Sequence, residues 1–398
     1  MNHTGYTALV QEFMLDFARI TGLDPVTPHP RRYLWTDAFA VCNYLELFQR
    51  TRNQTYRELA LRLVDQVHTI LGKHRDDDPR TGWISGKSLQ EGMRHPTIGG
   101  LRIGKSLPER QVDEPSHEQR EWDQDGQYYH YLTKWMHALD HVSLVTGNPD
   151  YITWAVELAH TAHTGFTYRP RQGDRKRMYW KMSIDLSRPL VPAMGQHDPL
   201  DGLVTYTELQ MTTTKIFGQS LHPVLEQEIA DMTEICRGMN LVTDDPLGIG
   251  GLLSDAARIT QMMIKGGPVN ERLPGTLFDS ARIGLDSFTG SGSLELPARY
   301  RLAFRELGLS IGLAGVEKLQ EWITKDPDVR ERTYPLQQQI QPLLEYVPLR
   351  EKIEHFWLDG KNREAITWTG HQEINSVMLA TSLAPEGFLG LNQYYSER

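Results

Sequence analysis

An all-α fold, an (α/α)6 toroid with long loops on one face, is what this sequence predicts, and three observations carry it. Nearly every segment with a clear hydrophobic period has the period of a helix. The connections alternate short and long, as they do when tight turns join helix hairpins and long loops build one face. A hairpin also repeats. Thr51-Arg-Asn-Gln-Thr-Tyr56 and Thr146-Gly-Asn-Pro-Asp-Tyr151 hold the same place in two helix pairs, after which Ala60 matches Ala155, Leu63 matches Leu158 and His68 matches His163. Upstream, Tyr33 matches Tyr128. Repeated hairpins mark a helical array or toroid. An open α-solenoid is the alternative, and it requires more uniform repeat lengths.

In chain order, the first helix is expected over Thr7–Thr21, where Leu9, Val10, Phe13, Met14, Phe17 and Ile20 share one face. Pro25, Pro28 and Pro30 end it. The second runs from Thr36-Asp37 to Thr51 and the third from Asn53 to Leu71; the short link makes them an antiparallel hairpin. Residues 75–125 have no strong period and are rich in Gly, Pro, Arg and acids. Ile98, Leu101 and Ile103 within them argue for a folded loop over the mouth of the domain. A helix follows over Gly126–Thr146, with Asp125 at its N-cap. Another covers Pro149–Phe166, capped by Asn148. Arg177–Asp185 alternates weakly, as a β-excursion would. Further helices are expected at Gly202–Gly218, Pro223–Met239, Gly251–Lys265, Thr276–Phe288, Pro297–Trp322 (broken near Gly312), Leu336–Tyr346, Leu349–Leu358 and Trp368–Leu383. One domain is expected to span residues 1–398.

The chain is 39% apolar and 23% charged, the composition of a soluble globular protein. A net charge of −9 argues against nucleic acid or an anionic membrane as the main partner. Cys42 and Cys236 lie in helical patterns and read as buried thiols. Neither a basic-then-apolar leader nor a membrane-length apolar run occurs, so the cytoplasm is the expected location.

Four loop-to-helix junctions share a composition. They are Tyr33-Leu-Trp-Thr-Asp37, Trp122-Asp-Gln-Asp-Gly-Gln-Tyr128, Gln196-His-Asp-Pro-Leu-Asp-Gly-Leu-Val-Thr-Tyr206 and Trp368-Thr-Gly-His-Gln-Glu-Ile-Asn375. Each pairs an acid with an aromatic. A single case would be a helix cap, but four suggest an acidic, aromatic-lined funnel. Sugar chemistry uses such a funnel: aromatic faces pack against pyranose C–H groups and carboxylates bond the hydroxyls. Glycosidic cleavage adds a carboxylic acid for the leaving oxygen and a second carboxylate that activates water or attacks.

Asp125 and Asp123 are therefore the candidate acids, with Glu373, Asp201 and Asp37 as the pool for the partner. Trp35, Trp122 and Trp368 are candidate platforms, with Tyr128 and Tyr129 beside them. Arg102 and Lys105 are candidate clamps for an anionic sugar. His130 and His371, each at a funnel mouth, are candidate acid–base groups. His137 and His141 have a metal-compatible spacing, but no His-Glu-x-x-His motif occurs, so they read as a packed pair. No metal and no cofactor is expected.

The hairpin turns Asn53…Tyr56 and Asn148-Pro-Asp-Tyr151, with the Asp-Gly-Gln-Tyr-Tyr-His-Tyr-Leu-Thr-Lys-Trp-Met segment from Asp125, resemble the six-hairpin glycosidase-like superfamily. That segment looks like one from a bacterial and archaeal group within it. The resemblance covers most of the chain and is one of architecture. It implies glycoside hydrolysis, unsaturated glucuronyl hydrolysis or, more distantly, sugar epimerisation. By likeness to the unsaturated glucuronyl hydrolases, Asp125 is the first catalytic candidate. The tyrosine-rich turn departs from any specific hydrolase motif, which leaves the reaction open. The leading expectation is a glycoside hydrolase acting on a small-molecule carbohydrate. A sugar epimerase or isomerase using histidines, and a non-catalytic helical scaffold, are the alternatives.

Overall fold

A computed structural model describes residues 3–115, 117–171, 175–218 and 224–390. Twelve long helices dominate them: α1 (His3–Ile20), α2 (Leu34–Thr51), α3 (Gln54–Leu71), α4 (Tyr129–Thr146), α5 (Asp150–Phe166), α6 (Asp198–Phe217), α7 (Glu226–Cys236), α8 (Pro246–Ile264), α9 (Leu273–Gly290), α10 (Ala303–Lys325), α11 (Pro348–Leu358) and α12 (Gln372–Leu383). Five very short strands are present, β1 (Gln127–Tyr128), β2 (Thr167–Tyr168), β3 (Arg177–Met178), β4 (Lys181–Met182) and β5 (Pro189–Val191). No described helix is long and apolar enough to cross a membrane.

Contacts group the chain into two compact units. One is drawn from Met1–Ile20, Gln49–Arg52 and Asn240–Arg398, the other from Thr21–Phe48 and Asn53–Met239. In the second unit α4 packs on α5, α6 packs on α7, and α4 also packs on α6. In the first, α8 packs on α9 and α10, α10 on α11 and α12, and α12 on α1. The even-numbered helices are buried on almost every face. In α4, for example, Leu132, Thr133, Trp135, Met136, His137, Ala138 and Leu139 are all buried. The odd-numbered α3 buries one stripe, Tyr56, Leu59, Ala60, Leu63, Val64, Val67 and Leu71. Each unit thus has an inner and an outer layer, because only helices covered all round can be apolar or small all round.

The repeat seen in the sequence has a structural counterpart. His68 on outer α3 meets Trp135 on inner α4 edge-on at 5.7 Å. His163 on outer α5 meets Tyr206 on inner α6 edge-on at 6.1 Å. Tyr33 directly precedes α2 and Tyr128 is the N-cap of α4, so this matched pair marks the entry to two inner helices.

Several element boundaries differ from expectation, some of them for plain local reasons. The helix after Asp125 starts at Tyr129, because Gly126 (φ +147°) and β1 intervene. Gly312 does not break α10. A Cβ there would stand 2.6 Å from the Gly250 carbonyl, so glycine permits close approach of α8 and α10. The Trp368–Leu383 helix is split, and His371 caps α12 with φ −133°. Leu336–Tyr346 is a chain of short helical and 3₁₀ turns. The expected helix from Pro223 begins outside the described residues and is seen from Glu226.

The 75–125 connection is folded. It contains short helices Leu89–Arg94 and Glu118–Asp123. Leu101 and Ile103 are fully buried. Ile103 N–H donates to Gly126 O at 2.8 Å and its carbonyl accepts from Leu34 N–H at 3.0 Å, tying the connection to the starts of α2 and α4.

Candidate functional site

The N-termini of inner helices α2, α4 and α6 lie in the second unit and present polar and aromatic side chains together. Tyr33, before α2, and Tyr131, in the first turn of α4, share a hydroxyl hydrogen bond of 2.5 Å. The Lys105 ammonium lies 5.1 Å from the Tyr33 ring centre. His130 stands between Tyr128 (5.4 Å), Tyr131 (4.8 Å, edge-on) and Trp180, which stacks at 6.4 Å and 12°. Trp180 lies between β3 and β4 and meets the exposed Trp122 edge-on at 4.9 Å. Burial raises the Tyr128 phenol above its ordinary range. Burial, then the facing Tyr33, does the same for Tyr131. Both phenols therefore remain donors at neutral pH.

His130 Nδ1 lies 3.5 Å from Asp198 Oδ1, and the imidazole side chain is 26% exposed. Asp198 opens α6, where a carboxylate is favoured by the helix dipole. Its carboxylate packs over Gly195, where a Cβ would come 2.5 Å from Oδ1. His130 Nδ1 and Asp198 Oδ2 are buried and have no hydrogen-bond partner among the described residues. One turn into each helix, Lys134 Nζ meets Asp201 Oδ1 at 2.6 Å. An imidazole beside a carboxylate, a second carboxylate beside an ammonium, and three phenols form an acid–base set.

Behind this surface lies a buried scaffold. Lys181 Nζ, fully buried, donates to Glu121 O (2.6 Å), Glu121 Oε1 (3.0 Å) and Gln124 O (2.8 Å). It also sits 5.3 Å from the Tyr128 ring centre and props that ring from below. Burial lowers the Lys181 ammonium below its usual range.

The structure redistributes the roles read from sequence. Asp125 is not an N-cap and is fully buried. Its Oδ1 accepts from the N–H groups of Gly104 (3.0 Å), Lys105 (3.3 Å) and Gly126 (3.1 Å). Its Oδ2 accepts from Arg102 (3.0 Å) and Arg75 (3.3 Å). Five donors leave it nothing to offer a leaving oxygen. Arg102 is equally committed, since it also donates to Lys73 O and Ile70 O, and so cannot clamp a substrate anion. Asp37 is buried and accepts from Tyr33 N–H (2.9 Å) and Arg32 (3.4 Å), closing the start of α2. Trp35 is buried against Phe39 at 4.5 Å, and Tyr129 is fully buried with its hydroxyl on Tyr206 at 2.8 Å. Neither is a platform. Asp123 is exposed at the end of its short helix.

Trp368, His371 and Glu373 lie in the first unit at the start of α12. Trp368 is buried and stacks on Trp357 at 5.7 Å, so it is a core residue. His371 is exposed and meets Phe304 edge-on at 6.0 Å, while Glu373 is half-buried. The structure thus gathers Lys105, Trp122, Tyr128, His130 and Asp201 from the expected set. It adds Tyr33 and Tyr131, which the sequence places at two helix entries without a catalytic role, and Lys134, Trp180 and Asp198, which the sequence reading did not single out. Asp198 stood in a quoted junction, two residues before the better-patterned Leu200-Asp201. Trp180 was hidden in the β-excursion.

Layered helix hairpins with their polar groups at inner-helix N-termini define the class. The fold is an (α/α)6 toroid. The chain is similar to a selenomethionine derivative of the GH76 alpha-mannanase of Bacteroides thetaiotaomicron, with 10% identity, 98% of each chain covered and a TM-score of 0.51. It is also similar to the cellobiose 2-epimerase of Spirochaeta thermophila, with 14% identity, 94% of this chain and 98% of that chain covered and a TM-score of 0.47. No family model and no curated protein matches the sequence.

Proposed function

We propose that this protein is a carbohydrate-active enzyme whose reaction is proton transfer at a sugar carbon, an epimerisation or isomerisation beside a reducing-end carbonyl. The observation that carries the reading is the His130–Asp198 pair, at 3.5 Å, inside a rim of Tyr128, Tyr131 and Trp180. An imidazole works as both acid and base in sugar chemistry, and here it stands beside a carboxylate. The Tyr33–Tyr131 pair spends one O–H between its members and offers the other to the sugar oxygen on which charge develops. Trp122 and Trp180 offer faces for the ring's C–H groups. The fold likeness to an alpha-mannanase supports sugar as the substrate class. That the chain acts as one domain over residues 1–398 belongs to the same proposal.

Glycoside hydrolysis is the second reading. Asp198 and Asp201 favour it, two carboxylates one turn apart at the start of α6. In both readings Asp198 is essential, and in the first His130 is too. A panel of reducing sugars and mannosides, with products separated by chromatography, tests this on wild type, His130→Asn and Asp198→Asn. Each variant is expected to lose about 10²–10⁴-fold in kcat while keeping its fold. Full activity in His130→Asn would remove the first reading, and full activity in Asp198→Asn would remove both.

A further inference from the structure

Deep in the second unit, away from the helix mouths, Cys42 on α2 meets His137 and His141 on α4. One ligand atom of each, the thiol sulfur and a nitrogen of each ring, lies within 4.8 Å of the others. All three side chains are buried, Cys42 at 1% exposure and both histidines at 0%. We propose that these three residues bind a transition-metal ion, zinc(II) foremost, that ties α2 to α4.

The chemistry of the set supports this. Thiolate and imidazole are the donors that zinc prefers. The His137–His141 spacing of one helical turn brings the two rings to 4.3 Å between centres. The partner expected behind a metal-bound imidazole is also present: His137 Nδ1 donates to Glu208 Oε2 on α6 at 2.8 Å. That bond orients the ring, the arrangement common behind ligating histidines. A tetrahedral zinc with bonds of about 2.0–2.3 Å holds its donors about 3.3–3.8 Å apart, so side-chain shifts of about 1 Å close the set. A divalent ion neutralises the Cys42 thiolate and the Glu208 carboxylate together, in an interior where an unmatched charge is costly.

The site is separate from the proposed catalytic one. His137 is two turns along α4 from His130, about 10 Å at 1.5 Å per residue. The ligands are closed to solvent, so the ion's role is to fix α2 against α4 and, through them, the Tyr33–Tyr131 contact at their starts. Because the ligands must be deprotonated and assembled, loading accompanies folding.

The test uses the full chain without a histidine tag, purified without chelator. Elemental analysis is expected to find about one zinc per chain. Unfolding with chelator and refolding with cobalt(II) alone is expected to give a thiolate-to-cobalt charge-transfer band together with tetrahedral ligand-field bands. Cys42→Ser should lose the charge-transfer band, and metal-loaded wild type should melt higher than protein refolded with chelator. A folded wild type that takes up neither zinc nor cobalt on refolding overturns the proposal. So does metal that stays at the same stoichiometry in Cys42→Ser and in His141→Phe.

Discussion

Asp125 has five donors around a carboxylate with about four lone-pair positions, so its hydrogen-bonding capacity is spent inside the protein. It draws the Lys73–Lys105 stretch and the loop before α4 onto one point through Arg75, Arg102 and three backbone N–H groups. Its removal leaves two guanidinium groups, 13% and 11% exposed, facing each other without their shared anion. Asp125→Ala is therefore expected to cost about 3–5 kcal/mol in urea unfolding. An unchanged midpoint would show that the clamp has no structural role. His130 differs in kind, since its side chain is partly open to solvent and the Asp198 carboxylate stands beside it among aromatic rings. The sequence shows both residues in one motif, yet their roles depend on which groups residues 75–105 bring in from outside it.

At the scale of elements, outer helices dock through buried polar aromatics. Trp135 Nε1 on α4 donates to His68 Nε2 on α3 at 3.1 Å, which requires that nitrogen to be unprotonated. Burial lowers the His68 imidazole from 6.5 to about 3. The folded value lies below the unfolded one, so the unfolded chain binds the extra proton. The contribution is complete above pH 6.5 and is lost as pH falls from there toward 3, at up to about 1.4 kcal/mol per pH unit. His68→Gln keeps an acceptor for Trp135, and its urea midpoint is expected to fall less steeply between pH 7 and 4. Parallel slopes for the two proteins would remove His68 as the source. The helices themselves were legible from apolar period and caps. Asn53 caps α3 through Thr55 N–H (3.0 Å), and the matched His68 and His163 do fill equivalent outer positions. Boundaries set by long-range packing were not legible. Gly312 reads as a breaker in one dimension and as a contact with Gly250 in three.

For the molecule as a whole, the fold class was readable because period, loop alternation and repeat all point the same way. The site was only partly readable. Acids and aromatics at junctions identify the inner-helix mouths. They do not say which side chains turn inward to seal a helix start, as Asp37, Trp35 and Tyr129 do, and which turn outward, as His130 does. Nor could spacing along α4 reveal that α2 delivers Cys42 to the His137–His141 pair.

The central claim, proton transfer at a sugar carbon by His130, is tested most directly by running turnover in deuterium oxide and reading the product by NMR. The account predicts deuterium at a C–H position of the converted sugar in wild type, and neither conversion nor exchange with His130→Asn. Release of new reducing ends with no deuterium at carbon would contradict it and establish hydrolysis in its place.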